Sequence, residues 1–131
     1  MPTPASYPDD LRYHAEHDWA RVSGDEATLG ITWFAQDALG ELVHYEAPEV
    51  GSTVTKDQPC GEVESVKAVS DVVAPLSGEV LEINQKAVDE PEIVNVDPYG
   101  EGWLIRIRVS DASEVESLLD AEAYRAHVAQ Q

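Results

Sequence analysis

The chain has 131 residues, with 8 Lys plus Arg against 26 Asp plus Glu and a formal charge of −18. With 43% hydrophobic residues, three Trp and five Tyr, a single domain of ordinary size can bury a core without disulfide staples, which excludes a natively disordered acidic tail. Eight dispersed basic residues make no phosphate-neutralising face, so direct binding to nucleic acid or to an anionic membrane is not expected.

Residues 1–10 carry Pro2, Pro4 and Pro8. Proline fixes φ and removes a backbone donor, so this stretch is predicted to be an extended leader to a single domain spanning 11–131. Met1 is followed by no basic n-region with an apolar h-region, and no apolar run is long enough for a membrane span. Cys60 is the single cysteine, which leaves no intrachain disulfide and no cysteine-based zinc site and fits a reducing, cytoplasmic setting. The acidity has two readings, solubility and steering onto basic partner surfaces, and composition does not separate them.

From Trp19 onward the pattern is β-rich. Short apolar runs at Ala27–Ile31, Leu42–Tyr45, Gly61–Val63, Val69–Val73 and Val80–Ile83, punctuated by Gly24, Gly40, Gly51, Pro75 and Gly78, predict strands of a compact sheet structure. The clearest strand is Trp103–Val109, where Trp103, Ile105, Ile107 and Val109 alternate with Leu104, Arg106 and Arg108. Two helices interrupt the pattern. Ile31, Phe34, Ala35, Ala38 and Leu39 follow helical spacing, with Thr32 near the start and Gly40 at the left-handed stop. Ser113 and Glu116 form a capping-box pattern that opens a terminal helix along Val115, Leu118, Leu119, Tyr124 and Val128. An internal echo links Gly40-Glu41-Leu42-Val43 to Gly78-Glu79-Val80-Leu81, consistent either with a duplicated strand–turn unit or with chance similarity.

The search for enzyme constellations is largely empty. No Gly-rich phosphate loop, G-x-S-x-G elbow or H-E-x-x-H occurs. His14, His17 and Asp18 could be drawn as a metal cluster, but no helical face fixes them, and surface or packing roles are expected; no metal is assigned. Cys60 and His44 are read as packing or surface residues. Lysine is scarce: only Lys56, Lys67 and Lys86 occur. By position alone Lys67, between two β-rich halves, is a solvated surface residue, although a four-carbon stem ending in an amine is also what post-translational acylation requires.

Glu64-Ser65-Val66-Lys67-Ala68 resembles the lipoylation motif of the glycine cleavage system H-protein family. Further landmarks resemble that family in the same order. They are Tyr13-x-x-x-His17-Asp18-Trp19, Leu29-Gly30-Ile31-Thr32, Ala35-Gln36-Asp37-x-Leu39-Gly40-Glu41, Pro48-Glu49-Val50-Gly51, Ser70-Asp71-Val72, Pro75-x-Ser77-Gly78-Glu79-Val80 and Pro98-Tyr99-x-x-Gly102-Trp103-Leu104. The pentapeptide alone is weak; the ordered set, covering about Leu11 to Val128, is specific.

The resemblance implies a mainly β fold, a barrel-sandwich hybrid of the lipoyl-carrier type with a short internal helix and a C-terminal helix. It implies that Lys67 is joined to lipoate through an amide on an exposed hairpin, with Glu64 serving recognition by a lipoylating enzyme. The carrier would itself catalyse nothing, because the chemistry belongs to the cofactor. Its partners would be glycine decarboxylase (P protein), aminomethyltransferase (T protein) and dihydrolipoamide dehydrogenase (L protein). It would carry an aminomethyl group from the first to the second and electrons to the third, as a monomer. The resemblance also suggests a surface cleft in which carboxylates bind the cationic amine of the loaded arm, with Asp18 and Asp71 at matching positions and Glu16 nearby. Asp18 departs from the Glu usual in the family. Trp33-Phe34 also departs from the more polar residues common there; Phe34 fits the apolar helical stripe and Trp33 the core edge. Two other readings are a lipoyl-relay carrier for another complex and an unmodified acidic protein-binding module. Val66 and Ala68, rather than methionine, flank Lys67, which counts against a biotin carrier.

Overall fold

The computed structural model describes residues 7–130, so residues 1–6 of the expected leader and Gln131 lie outside the described residues. The chain opens with strands β1 (Arg12–His14), β2 (Asp18–Ser23) and β3 (Glu26–Ile31), followed by helix α1 (Trp33–Leu39). Strands β4 (Leu42–Glu46), β5 (Thr53–Val54), β6 (Pro59–Ser65), β7 (Val69–Val73) and β8 (Gly78–Ile83) come next. Helices α2 (Gln85–Asp89) and α3 (Ile93–Val96) precede β9 (Ile105–Val109), a 3-10 segment (Ala112–Ser117) and the terminal helix α4 (Ala121–Ala129).

Two antiparallel sheets result. One has the order β1-β2-β3-β9-β8-β5, and the other is β4-β6-β7. Ala27, Leu29, Val80, Ile105 and Ile107 of the larger sheet pack with Leu42, Tyr45, Val63 and Val72 of the smaller one in a single apolar cluster. Alternation explains β9: Ile105 and Ile107 are buried at about 2 kcal/mol each, while Arg106 and Arg108 turn outward to Glu26, Glu79 and Glu82. Period two ends at Ile105, against the expectation that the strand starts at Trp103. Leu104 is buried as well, its N–H donating to the Leu29 carbonyl and its carbonyl accepting from Asn84 N–H, while the Glu101 and Trp103 carbonyls accept from the Asn84 side-chain amide at 2.7 Å each.

A second cluster of Leu11, Tyr13, Trp19, Tyr99, Ala121 and Tyr124 fills the outer side of β1 and β2 under α4. Gly30 belongs to this packing: a Cβ there would lie 2.6 Å from the Trp19 ring. Trp33 packs at the edge of this cluster, as its core-edge reading anticipates. The described end of the leader also lies here, with the Tyr7 ring 5.4 Å from that of Tyr124 and Arg125 donating to the Tyr7 carbonyl.

Both expected helices are corrected in detail. Thr32 caps α1, accepting from Ala35 N–H, and Ile31, Ala35 and Leu39 of the expected stripe pack on the core, but the buried residue of this two-turn helix is Gln36, while Ala38 is exposed and Phe34 only half-buried. Gln36 can be buried because its amide is satisfied, donating to the Trp33 carbonyl and accepting from Asn95. The terminal helix is broken in two. Leu119 pairs with Tyr13 through two 2.8 Å backbone bonds, which stops the 3-10 segment, and Asp120 rather than Ser113 caps α4. The two copies of the internal echo open β4 in one sheet and β8 in the other, then diverge into β5 and into α2 with α3.

Candidate functional site

Strands β6 and β7 form a hairpin whose tip is Val66 and Lys67. Ser65 closes it twice: its N–H donates to the Ala68 carbonyl at 2.8 Å and its hydroxyl accepts from Ala68 N–H at 3.1 Å. Lys67 is exposed, and Val66 beside it is 88% exposed. The lysine stem lies over Gly40, where a Cβ would stand 3.5 Å from Lys67 Cε. Gly40 adopts φ 86° and ψ −168°, a region essentially confined to glycine. Asn95 on α3 clamps this floor: its amide donates to the Gly40 carbonyl and its oxygen accepts from Leu42 N–H, both at 2.9 Å. The resulting groove, about 400 Å³, is lined by Leu39, Gly40, Glu41, Ser65, Val66 and Lys67. An acylated lysine extending an apolar chain fits this setting, because the amine is accessible and the groove beneath it is floored by backbone.

The carboxylates occupy different environments. Glu64 is half-buried on β6, in register with His44 and Val69. Asp71 is exposed on β7, in a row with Glu62 and Glu46. Glu16 is exposed in the turn between β1 and β2, its N–H donating to His14 Nδ1 at 3.0 Å. Asp18 is 2% exposed, accepts a hydrogen bond from the backbone of Val73, and leaves Oδ2 without a hydrogen-bond partner. Burial, and secondarily the charge of Glu16, holds its carboxyl well above the usual range. Its contact with β7 ties the two sheets together at an otherwise open strand edge.

His14 and His17 turn to other tasks. His14 Nε2 lies 2.6 Å from Asp57, and His17 Nδ1 lies 2.8 Å from the Tyr124 hydroxyl; among the described residues no three His, Cys, Asp or Glu side chains converge to hold a metal. Burial, then the charge of Asp18, pushes the Cys60 thiol up to about 12, which suits packing rather than attack. Sequence reasoning missed Gly40 and Asn95 as parts of the lysine's seat. Asn95 carries no motif, and only the docking of α3 on α1 brings it there.

Two facing antiparallel sheets with an accessible lysine at a hairpin tip define a carrier of the lipoyl class. A family model described as glycine cleavage H-protein matches residues 11–131. A glycine cleavage system H protein of Marinobacter nauticus is 53% identical over 123 residues, covering 93% of this chain and 95% of the relative. One from Symbiobacterium thermophilum is 51% identical over 122 residues, with 93% and 95% covered. The crystal structure of a glycine cleavage system H protein from Mycobacterium marinum superposes with a TM-score of 0.86 at 43% identity, covering 93% of this chain and 98% of that one. The chain belongs to the glycine cleavage H-protein family. It is a non-catalytic lipoyl shuttle of the glycine cleavage system, in a family whose cofactor is a covalent lipoyllysine.

Proposed function

We propose that Lys67 is the lipoylated residue and that residues 11–131 form the carrier domain behind a leader at 1–10. The observation that carries the reading is an accessible lysine on a two-residue turn, its stem laid over the Gly40 backbone, within the family's motif. Amide formation removes the one cation at the tip and lengthens the stem. Bound lipoate supplies a disulfide that can be opened, loaded and reoxidised. Ser65 holds the turn, Gly40 and Asn95 hold the floor, and Glu64 offers the lipoylating enzyme a carboxylate three residues before the lysine.

Glycine decarboxylase, aminomethyltransferase and dihydrolipoamide dehydrogenase visit the tip in turn. Tethering keeps the carried group at high effective concentration once each docks. Exposed Asp71 and Glu16 offer carboxylates for the cationic amine; buried Asp18, which holds its proton tightly, joins them when the amine's charge draws that proton off, and its unpartnered Oδ2 supports its part in this. The protein works as a cytoplasmic monomer, for which the free buried thiol of Cys60 suits a reducing compartment. No helix among the described residues is long and apolar enough to cross a membrane.

Intact-mass analysis of protein made with lipoate and a lipoylating enzyme tests the site. One lipoyl increment is expected, absent in Lys67→Arg; no increment on the parent chain would favour an unmodified binding module. Reconstitution with the three partner enzymes should give glycine-dependent turnover, and modified protein that supports none would favour a relay for another complex. Light scattering should return the mass of one chain.

A further inference from the structure

The turn that carries Glu16 and leads into Asp18 is held from α4 at two points: His127 Nε2 lies 3.0 Å from the Ala15 carbonyl, and the Tyr124 hydroxyl reaches His17 and Thr32. Tyr124 is wholly buried on α4, with its Oη 2.8 Å from His17 Nδ1 and 2.7 Å from Thr32 Oγ1. His17 sits in the left-handed region at φ 74°, which a non-glycine residue keeps only where its surroundings fix it. The surroundings do so. The His17 carbonyl accepts from Thr32 N–H at 3.1 Å, its N–H donates to the His14 carbonyl at 2.9 Å, and its ring lies 4.4 Å from that of Phe34.

Thr32 is also the cap of α1, whose far end delivers Gly40 to the Lys67 groove. A single side chain therefore joins three segments distant in sequence: the terminal helix, the turn ahead of β2, and the helix that floors the lysine. A tyrosine hydroxyl donates one bond and accepts another, so it keeps both partners whichever His17 nitrogen bears the proton.

We propose that Tyr124 is a positioning residue of the arm cleft. By holding His17 in its left-handed turn it fixes Glu16 and Asp18, and the C-terminal helix thereby sets how well the carried amine is shielded from water. This rests on the cleft reading given above for Glu16, Asp18 and Asp71.

The test is Tyr124→Phe, which removes one oxygen and keeps the ring stacked 4.6 Å from Tyr13. In unlipoylated protein, hydrogen exchange by NMR should be roughly tenfold faster at the amides of Val73, which bonds Asp18, and Thr32, which bonds His17, with β6 unchanged. The second readout uses lipoylated protein loaded with its one-carbon unit and left alone in buffer. Loss to water breaks the carbon–sulfur and carbon–nitrogen bonds: water supplies the oxygen of formaldehyde, nitrogen leaves as ammonium, sulfur is left as thiol, and no oxidant is consumed.

Ammonium release should be roughly three- to tenfold faster in Tyr124→Phe, and that acceleration should vanish in a Glu16→Gln, Asp18→Asn background. A merely structural role would give the same factor in both backgrounds and would loosen β6 too, overturning the proposal. If the two acid substitutions leave release unchanged in the parent protein, the cleft reading fails and the proposal falls with it. If they accelerate release while Tyr124→Phe leaves release or exchange unchanged, the cleft stands and the role of Tyr124 is refuted.

Discussion

Burial of Asp18 against β7 makes stability depend on its proton. Its folded-state pKa is raised above the ordinary 3.8 chiefly by burial, so the folded chain binds the proton more tightly than the unfolded one. The associated stability is fully present below about pH 4 and is lost as pH rises toward the folded-state pKa. Asp18→Asn should abolish that loss while keeping an acceptor for the Val73 amide. Melting temperatures followed by circular dichroism from pH 4 to 8 should fall more steeply for the parent chain than for the variant, and parallel curves would refute the assignment. Asp57 behaves oppositely: hydrogen bonds from His14 and Lys56 lower its pKa, so its contribution fades as pH falls, but the group is exposed and the effect small. Cys60 gives a third residue-scale expectation. With its thiol pushed up to about 12 by burial, it should resist a disulfide reagent in the native protein and react once denaturant is added; rapid native labelling would contradict the packing.

Among the elements, α4 shows how a local signal was outvoted. Ser113 and Glu116 have the spacing of a capping box, yet the Ser113 hydroxyl is engaged with Asp111, and pairing of Leu119 with Tyr13 bends the chain before the last helix begins. Asp120 Oδ1 then accepts from Ala123 N–H at 2.8 Å. Asp120→Ala should therefore cost about 1 kcal/mol in chemical denaturation, and Ser113→Ala only a few tenths; the reverse ranking would restore the capping box. Asn95 is the corresponding test for the lysine's floor. Its side chain satisfies Leu42 N–H, the Gly40 carbonyl and Gln36, so Asn95→Ala should destabilise by about 2 kcal/mol, with unchanged stability as the contrary result.

At the scale of the molecule, charge is distributed unevenly between the sheets. Arg106 and Arg108 on the larger sheet pair with Glu26, Glu79 and Glu82, whereas Glu46, Glu62 and Asp71 stand side by side on the smaller sheet with no ion pair among the described residues. Like charges across strands repel, and the formal −18 adds to the strain. Salt should relieve it, so the melting temperature at pH 7 is expected to rise between about 0.01 and 0.5 M sodium chloride; a flat response would refute a destabilising repulsion, since at the low end screening sets in only over about 30 Å. A short apolar run placed β7 at its observed bounds, and period-two alternation placed β9 to within two residues, because a half-buried strand such as β9 writes its two faces into neighbouring positions. The family resemblance implied an exposed hairpin for Lys67, and the structure has it at the tip that Ser65 and Ala68 close. Short helices α2 and α3 escaped notice, being too brief to show a period. The burial of Asp18, the grip of Tyr124 on His17 and the Asn95 clamp could be decided only by the tertiary structure, because each joins residues dozens of positions apart, and spacing along a chain carries no information about which distant group a carboxyl, hydroxyl or amide side chain will meet.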